Sequence, residues 1–291
     1  MVKNALRLAL VALVFLLAAC GNDDGGGTAG TEPDTAEPSQ ASKFTVKTLE
    51  YAFQLQATSF KAGLVELTLD NTGGKESHEV EIARLDQGKT LDEYRKVDPS
   101  GPPPDWVEAA GGPGPVLPGK TAVYTANFDA GTYVLECHVP APDGKEHASK
   151  GMITSVTATA GDAGELPEAG ATITASEFKF SGLEDLKAGE QVVRFENTGA
   201  QQHHAAMIAL APGKTAKDAL AFFQAAQTGA PPAGPPPFTG FPGFMATFAP
   251  GAEATRTLNL TPGNYAIVCF IPDTDGVPHA AKGMAQDFTI S

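Results

Sequence analysis

The chain has 291 residues, with 34 acidic and 20 basic side chains and a formal net charge of −14 at pH 7. This acidic balance argues against nucleic acid as a partner and against electrostatic docking to anionic lipid. It suits a basic protein partner, although solubility alone explains it equally well.

The first twenty residues have the pattern of an export signal. Lys3 and Arg7 precede or flank an apolar run from Leu8 to Leu17, which is too short to span a bilayer comfortably. The sequence then continues Leu-Ala-Ala-Cys-Gly, which resembles the lipobox of bacterial lipoproteins around Cys20. The resemblance implies that Cys20 carries a lipid as the first mature residue; an ordinary secretory signal with an incidental cysteine is the alternative. We expect an exported protein, lipid-anchored to the cell membrane on its periplasmic or extracellular face.

Composition divides the rest of the chain into two candidate domains. Residues 21–42 are rich in Gly, Thr and Pro and carry acidic but no basic side chains, which is typical of a flexible linker. A second Gly- and Ala-rich acidic stretch lies at 158–170. The expected organisation is therefore a signal at 1–20, a linker at 21–42, a domain at 43–157, a linker at 158–170 and a domain at 171–291.

The two candidate domains share short motifs in register. Lys-Ala-Gly at 61–63 recurs at 187–189, and Asn-Thr-Gly at 71–73 recurs at 197–199, both 126 residues later. Pro-Gly at 118–119 recurs at 250–251, 132 residues later. Matches that keep register on both sides of a single length change indicate an internal duplication.

Each half of the chain has a mostly β pattern. Tyr133, Leu135 and Cys137 alternate with Val134 and Glu136, the period of a half-buried strand whose cysteine points inward. Tyr265, Ile267 and Cys269 alternate in the same way. Short strands between Gly and Pro turns predict an all-β fold with one sandwich per domain. One short helix is expected in each, after the capping box at Thr90 and in the Ala-rich run from Thr215 to Gln227.

A cysteine, a histidine and a methionine recur at the end of each domain with identical spacing. Nine residues separate the cysteine from the histidine and four separate the histidine from the methionine, giving the sets Cys137, His147, Met152 and Cys269, His279, Met284. A thiolate, an imidazole and a thioether are ligands that soft metal ions select, and one more imidazole completes an electron-transfer copper site. His78 and His204, each seven residues after the Asn of Asn-Thr-Gly, are the candidates. His138 and His203 are expected on the surface or beside the ligands.

These motifs resemble the cupredoxin family, to which plastocyanin belongs. His-Ala-Ser-Lys-Gly-Met at 147–152 and His-Ala-Ala-Lys-Gly-Met at 279–284 carry the resemblance most clearly. The long spacing from cysteine to histidine is closer to copper nitrite reductases and to the type 1 sites of multicopper oxidases. The resemblance implies two tandem Greek-key β-sandwiches, each with one type 1 copper. The implied ligands are His78, Cys137, His147 and Met152 in the first domain, and His204, Cys269, His279 and Met284 in the second.

One position departs from the family pattern. Many cupredoxins have an asparagine directly after the first ligand histidine, where it helps to fix the cysteine loop. Here that position is Glu79 or Ala205. Because residues around the ligands orient them and tune the metal, the reduction potential of each site depends on this departure.

Electron transfer is the function that the ligand set favours, with up to two copper ions and a redox partner such as a cytochrome or oxidase. An oxidase or reductase needs a second kind of copper site with additional histidines, but Glu136 and Val268 precede the cysteines and the chain contains no His-x-His. We therefore expect no enzymatic activity. Copper storage or delivery and a metal-free structural or binding module are the alternatives. A disulfide is disfavoured, because the two cysteines occupy equivalent inward positions in separate sandwiches.

Overall fold

The computed structural model of the protein describes residues 40–98, 103–227 and 234–291. The predicted signal segment, Cys20 and nearly all of the first predicted linker lie outside these residues. These described residues belong to a single compact unit. We refer below to the N-terminal segment (residues 42–159) and the C-terminal segment (residues 171–290).

The described residues form seventeen strands, two α-helices and three 3₁₀ turns. The strands of the N-terminal segment are β1 (Ser42–Leu49), β2 (Ala52–Leu55), β3 (Ser59–Lys61), β4 (Gly63–Asp70), β5 (Glu81–Leu85), β6 (Val107–Ala109), β7 (Thr121–Phe128), β8 (Gly131–Glu136) and β9 (Ile153–Thr159). Those of the C-terminal segment are β10 (Ala171–Ser176), β11 (Lys179–Ser181), β12 (Gly189–Asn197), β13 (His203–Leu210), β14 (Phe238–Phe248), β15 (Glu253–Leu260), β16 (Gly263–Val268) and β17 (Ala285–Ile290). The helices are α1 (Leu91–Tyr94) and α2 (Ala216–Gln227), and the 3₁₀ turns are Ala148–Lys150, Leu183–Asp185 and His279–Lys282.

The strands are arranged in three sheets, which confirms the predicted all-β fold class. One sheet has eight strands in the order β11-β10-β12-β15-β7-β4-β1-β2, another has four in the order β14-β13-β16-β17, and the third has five in the order β3-β9-β8-β5-β6. In the N-terminal segment, Val65 and Leu67 of β4 share an apolar core with Tyr133 and Leu135 of β8. Two sheets therefore pack face to face around a common core, as in a β-sandwich.

One antiparallel pairing joins the two segments. Ala126 of β7 pairs with Ala254 of β15, and Tyr124 pairs with Arg256, so one sheet runs through both segments. The connection between the two segments is held by the N-terminal segment, because the side chain of Asn127 forms two hydrogen bonds of 2.9 Å with the backbone of Gly164. The predicted boundaries at 43–157, 158–170 and 171–291 stay a prediction.

The strands that lead to the two cysteines are buried on both faces, so the prediction of half-buried strands is wrong for them. On β8, Val134 and Glu136 are buried as well as Tyr133 and Leu135. The reason is tertiary, since the outer face of each strand is covered by the helix of its own segment. Leu91 and Tyr94 of the α1 region pack with Val134, and Ala219, Leu220 and Phe223 of α2 pack with Ala266 and Val268 of β16.

Both predicted helices are confirmed. The hydroxyl of Thr90 accepts a hydrogen bond of 3.3 Å from the N–H of Glu93, whose carboxylate accepts one of 3.0 Å from the N–H of Thr90. Thr215 and Asp218 bond in the same reciprocal way at the start of α2. Neither α1 nor α2 approaches the length and apolarity that a membrane span requires, and no other helix in the described part of the chain does.

Candidate metal centres

The N-terminal segment brings His78, Cys137 and His147 together in a cluster that we call site 1. The distance between the Nδ1 atoms of His78 and His147 is 3.0 Å, and the Sγ of Cys137 lies 3.4 Å from the Nδ1 of His147. All three residues are fully buried. These are three of the four residues that the sequence predicts as ligands in this segment.

Backbone hydrogen bonds hold each member of site 1 in place. His78 pairs with Val116 through two bonds of 3.1 and 2.7 Å, an isolated bridge that fixes the backbone of the histidine just before β5. On the other side, the carbonyl of Met152 accepts a bond of 3.2 Å from the N–H of Cys137, and the N–H of Met152 donates one of 3.0 Å to His147. The side chain of Met152 is fully buried. The loop from cysteine to methionine is therefore closed by its own backbone, whether or not an ion is bound.

The C-terminal segment forms a matching cluster, site 2, but with His203 in place of the predicted His204. The Nδ1 of His203 lies 3.2 Å from the Nδ1 of His279 and 3.8 Å from the Sγ of Cys269, while Cys269 and His279 approach to 3.5 Å. All three residues are fully buried, as is the side chain of Met284. The structure corrects the prediction at this point, because His203, and not the predicted His204, lies in the cluster with Cys269 and His279.

The physical reason is a one-residue difference in length before β13. The backbone N–H of Glu79 donates to the Sγ of Cys137 at 3.4 Å, and the backbone N–H of His204 donates to the Sγ of Cys269 at 3.5 Å. His204 is thus the counterpart of Glu79, and His203 is the counterpart of His78. Equal spacing from the Asn-Thr-Gly motif places Ala205 opposite Glu79 instead, which is why the sequence predicts the wrong histidine.

The sequence contains one signal that bears on this choice. Successive side chains of a strand point to opposite faces, so only one of two adjacent histidines can enter the cluster. Ala205 and Met207 share the face of His203 and belong to the core that includes Cys269, whereas Ile208 packs in the cluster beneath α2. The alternation shows that only one of His203 and His204 faces the cluster, but it does not show which one. In addition, the pairing of β13 with β14 shifts register between His203 and Ala205, so the inward face cannot be extrapolated along the strand from the residues that follow.

The residue after the first histidine anchors the residue after the cysteine in both sites. In site 1 the carboxylate of Glu79 accepts a hydrogen bond of 2.9 Å from the N–H of His138. In site 2 the Nε2 of His204 accepts one of 2.7 Å from the N–H of Phe270. Burial raises the pKa of Glu79 to about 7 and lowers the pKa of His204 to about 3. His204 is consequently a neutral acceptor, which is the state that the hydrogen bond requires.

Asn71 and Asn197 stabilise the loops that precede His78 and His203 by hydrogen bonds to their backbones. The sequence alone does not predict this role. Both side chains are almost completely buried. The Nδ2 of Asn71 donates to the carbonyls of Glu76 at 2.9 Å and Val116 at 2.7 Å. The Nδ2 of Asn197 donates to the carbonyls of Gln201 at 2.7 Å and Phe248 at 3.1 Å.

An aromatic ring covers the second histidine of each site. The ring of Tyr51 lies 5.0 Å from that of His147, and the ring of Phe178 lies 5.3 Å from that of His279. Both aromatic residues have left-handed backbones, with φ of 63° and 59°. Such a conformation is uncommon for bulky residues and is held only where the surroundings impose it. The same conformation and the same ring contact recur at both clusters.

The two clusters have the donor atoms and the spacing of a copper site. With metal–imidazole bonds of about 2 Å, two ligand nitrogens lie about 3 Å apart, as the histidine pairs do. Two imidazoles, one thiolate and a methionine are the set that copper electron-transfer sites use. Burial raises the pKa of Cys137 to about 12 and that of Cys269 to about 11, so metal binding has to displace a proton from each thiol. Both cysteines are free, so no disulfide links them.

His138 lies outside site 1, as the sequence predicts. Its Nδ1 is 3.0 Å from the carboxylate of Glu146, and its Nε2 is 3.4 Å from that of Glu136. About a third of its side chain is exposed. Among the described residues, sites 1 and 2 are the two groups of three or more His, Cys, Asp and Glu side chains that converge closely enough to share an ion.

No family model and no curated protein matches the chain. Among solved structures, dithionite-reduced auracyanin from Roseiflexus castenholzii is 22% identical over 41% of this chain and 94% of its own, with a TM-score of 0.29. Copper nitrite reductase from Nitrosomonas europaea is 16% identical over 87% of this chain and 94% of its own, with a TM-score of 0.25. The copper-containing nitrite reductase from Thermus scotoductus is 13% identical over 87% of this chain and 61% of its own, with a TM-score of 0.24.

Three features of the molecule are together cupredoxin-like. They are the packed sheets, the strand that leads to each cysteine and the two buried His/Cys/His clusters.

Proposed function

We propose that the protein is a copper-binding electron carrier with one type 1 copper site in each of two tandem cupredoxin domains. The observation that carries the proposal is the twofold occurrence of a buried His/Cys/His cluster, whose cysteine and second histidine lie on a loop that ends in a buried methionine. His78, Cys137, His147 and Met152 would hold one copper ion, and His203, Cys269, His279 and Met284 the other. Bound in this way, copper supplies a one-electron couple.

The protein holds the ligand side chains in fixed positions and keeps water away from them. Complete burial of the histidines and cysteines excludes water, which leaves no room for a substrate beside the donor atoms. In site 2, the N–H of Cys269 donates to the carbonyl of Met284 at 3.0 Å, and the N–H of Met284 donates to His279 at 3.0 Å. A loop fixed by such bonds changes little between oxidation states, and this favours fast electron exchange over bond-making chemistry.

The two histidines outside the ligand sets support a carrier rather than an enzyme. His204 is occupied by the N–H of Phe270, and His138 lies between Glu136 and Glu146. The chain has six histidines, so none is left over for a second, open copper site of the kind that a reductase or oxidase needs. The proposal therefore includes no enzymatic activity.

The proposed location is the outer side of the cell membrane, with the lipid on Cys20 as the anchor. The apolar run ending at Cys20 and the acidic linker after it support this proposal. A single anchored carrier would exchange electrons with a redox protein such as a cytochrome or an oxidase. Mass spectrometry of the membrane fraction tests the anchor, since a lipid should be found on Cys20 and should be lost in Cys20→Ser.

Titration of the purified, metal-free chain with Cu(II), followed by visible absorption, tests the proposed function. We expect an intense thiolate-to-copper band that saturates near two equivalents. Cys137→Ser and Cys269→Ser should each remove one equivalent, and the double variant should remove the band. His138→Gln is the matched control, because His138 lies beside a cysteine but outside the cluster, and it should retain both equivalents. Full copper occupancy in either single cysteine variant would refute the ligand assignment.

Retention of copper separates the carrier from the storage or delivery alternative. A carrier should keep both ions in the presence of a mild chelator and should cycle reversibly between oxidation states. A delivery protein should release the metal under the same conditions. A folded chain with free thiols and no absorption band would instead indicate a metal-free binding module.

A further inference from the structure

Sites 1 and 2 are alike in the features that most directly tune a cupredoxin-like metal centre. Each has two histidines, a cysteine and a buried methionine, and each ligand is fully buried. Each sulfur accepts one hydrogen bond from the residue after the first histidine, at 3.4 Å in site 1 and 3.5 Å in site 2. Axial ligand, sulfur hydrogen bonding and burial are the usual determinants of potential, and these do not distinguish the sites.

The sites differ at the outer nitrogen of the second histidine. In site 1, the Nε2–H of His147 donates to the carboxylate of Glu76 at 3.0 Å. In site 2, the Nε2–H of His279 donates to the amide oxygen of Gln201 at 3.2 Å. One ligand histidine thus bears a negatively charged partner, and its counterpart bears a neutral one.

Glu76 and Gln201 occupy equivalent positions, so the difference is one of chemistry and not of placement. The backbone carbonyl of each is held by the buried asparagine of its own segment, Asn71 at 2.9 Å and Asn197 at 2.7 Å. The adjacent aromatic cover follows the same division. The hydroxyl of Tyr51 donates to Glu76 at 3.1 Å, whereas Phe178 has no hydroxyl to donate.

A second difference lies at the residue after the first histidine, where the ionised form of Glu79 would act in the same direction as Glu76. The anchor for the residue after the cysteine is an acid, Glu79, in site 1 and a neutral imidazole, His204, in site 2. Each site also has one carboxylate near its first histidine, so this feature does not distinguish the two sites. Glu50 lies 3.9 Å from the Nε2 of His78, and Glu177 accepts the N–H of Ala200 near His203.

A carboxylate on a ligand histidine makes the imidazole a stronger donor and favours the more highly charged state of the metal. Building on the proposed function, we infer that Glu76 and Gln201 set unequal reduction potentials, so that site 1 is the electron donor and site 2 the electron acceptor within one chain. Copper held at the two sites would exchange one electron, from Cu(I) at site 1 to Cu(II) at site 2, so that the oxidation of one ion would balance the reduction of the other. No bond is made or broken and no proton is transferred.

Spectroelectrochemical titration of the copper-loaded chain tests this inference. Cys269→Ser and Cys137→Ser give the potentials of site 1 and site 2 separately. We expect the electron to favour site 2 by at least tenfold, which corresponds to about 59 mV for a one-electron couple. The potential of site 1 should rise in Glu76→Gln, and that of site 2 should fall in Gln201→Glu. The chain that carries both changes should show a reduced or reversed difference.

Glu66→Gln is the matched control, because that carboxylate pairs with Lys43 on the surface and contacts neither site. It should leave both potentials unchanged. Two filled sites of equal potential, or a site 1 potential that Glu76→Gln does not raise, would overturn this inference and leave the proposed function standing. Failure of the wild-type chain to bind copper would overturn both.

Discussion

The imidazole of His204 accepts a hydrogen bond of 2.7 Å from the backbone N–H of Phe270, while the imidazole of its neighbour His203 lies 3.2 Å from that of His279. These two adjacent histidines therefore have different structural roles. His203 belongs to site 2, and His204 fixes the backbone beyond Cys269 from the opposite face of β13. This division makes the pair a direct test of the site geometry.

Replacing each of these histidines by asparagine should have opposite effects on copper binding. His203→Asn removes a donor from site 2, so copper uptake should fall from two equivalents to one. His204→Asn retains an acceptor for the Phe270 N–H, so two equivalents should still bind. Copper analysis after desalting measures both. Loss of one equivalent in His204→Asn, with full uptake in His203→Asn, would restore the ligand set that the sequence predicts.

The parts of the molecule that sequence reasoning predicts correctly depend on local signals. The spacing from Cys137 to His147 and Met152 lies within one loop, so the motif itself brings these residues together. The capping box at Thr90 is local in the same sense, since it is complete within four residues. These features could be predicted because no distant residue is needed to form them.

The parts that it misses depend on contacts between distant residues. Whether His203 or His204 enters site 2 is decided by the pairing of β13 with β14 and β16, which no local pattern encodes. The burial of Val134 depends on the helix region that covers it, and the eight-stranded sheet depends on the pairing of β7 with β15. Alternation along a strand shows that two faces differ, but not what will cover each of them.

Gly114 allows the two segments to approach closely, and its replacement by alanine should destabilise the protein. Its φ is +66°, and a Cβ there would lie 2.3 Å from the Cδ1 of Phe244. Phe244 in turn packs on His204, with the ring centroids 5.2 Å apart. The left-handed backbone costs about 1–2 kcal/mol for a residue with a Cβ, and the overlap with Phe244 adds roughly 1–3 kcal/mol.

Gly119→Ala is the matched control, because Gly119 has a φ of +75° but nothing within 4 Å of the position that a Cβ would take. It should show only the backbone cost. Urea unfolding of the two variants measures the difference. Equal losses of unfolding free energy would mean that the contact between Gly114 and Phe244 relaxes without cost.

Asn197→Ala should weaken the C-terminal segment selectively. The variant leaves the carbonyls of Gln201 and Phe248 without their buried donor, and each unsatisfied group costs roughly 1–3 kcal/mol. Since Gln201 contacts His279, copper at site 2 should also be held less firmly than copper at site 1. Asn264→Ala, which removes a surface contact with Thr289, is the control. Equal chelator resistance at both sites in Asn197→Ala would contradict the anchoring role.

Acid should remove the stabilising effect of the ion pair between Asp273 and Lys282. The hydrogen bond from Lys282 lowers the pKa of Asp273 to about 2, below the ordinary value of about 3.9 in an unfolded chain. A carboxyl whose pKa is lowered by folding contributes stability above the unfolded value, and this contribution is lost as the pH falls through the folded value. Asp273→Asn should therefore be less stable than the wild type at pH 5–7, and the gap between their urea midpoints should close as the pH falls from about 4 to about 2. A gap that is independent of pH would show that the aspartate acts by packing, not by charge.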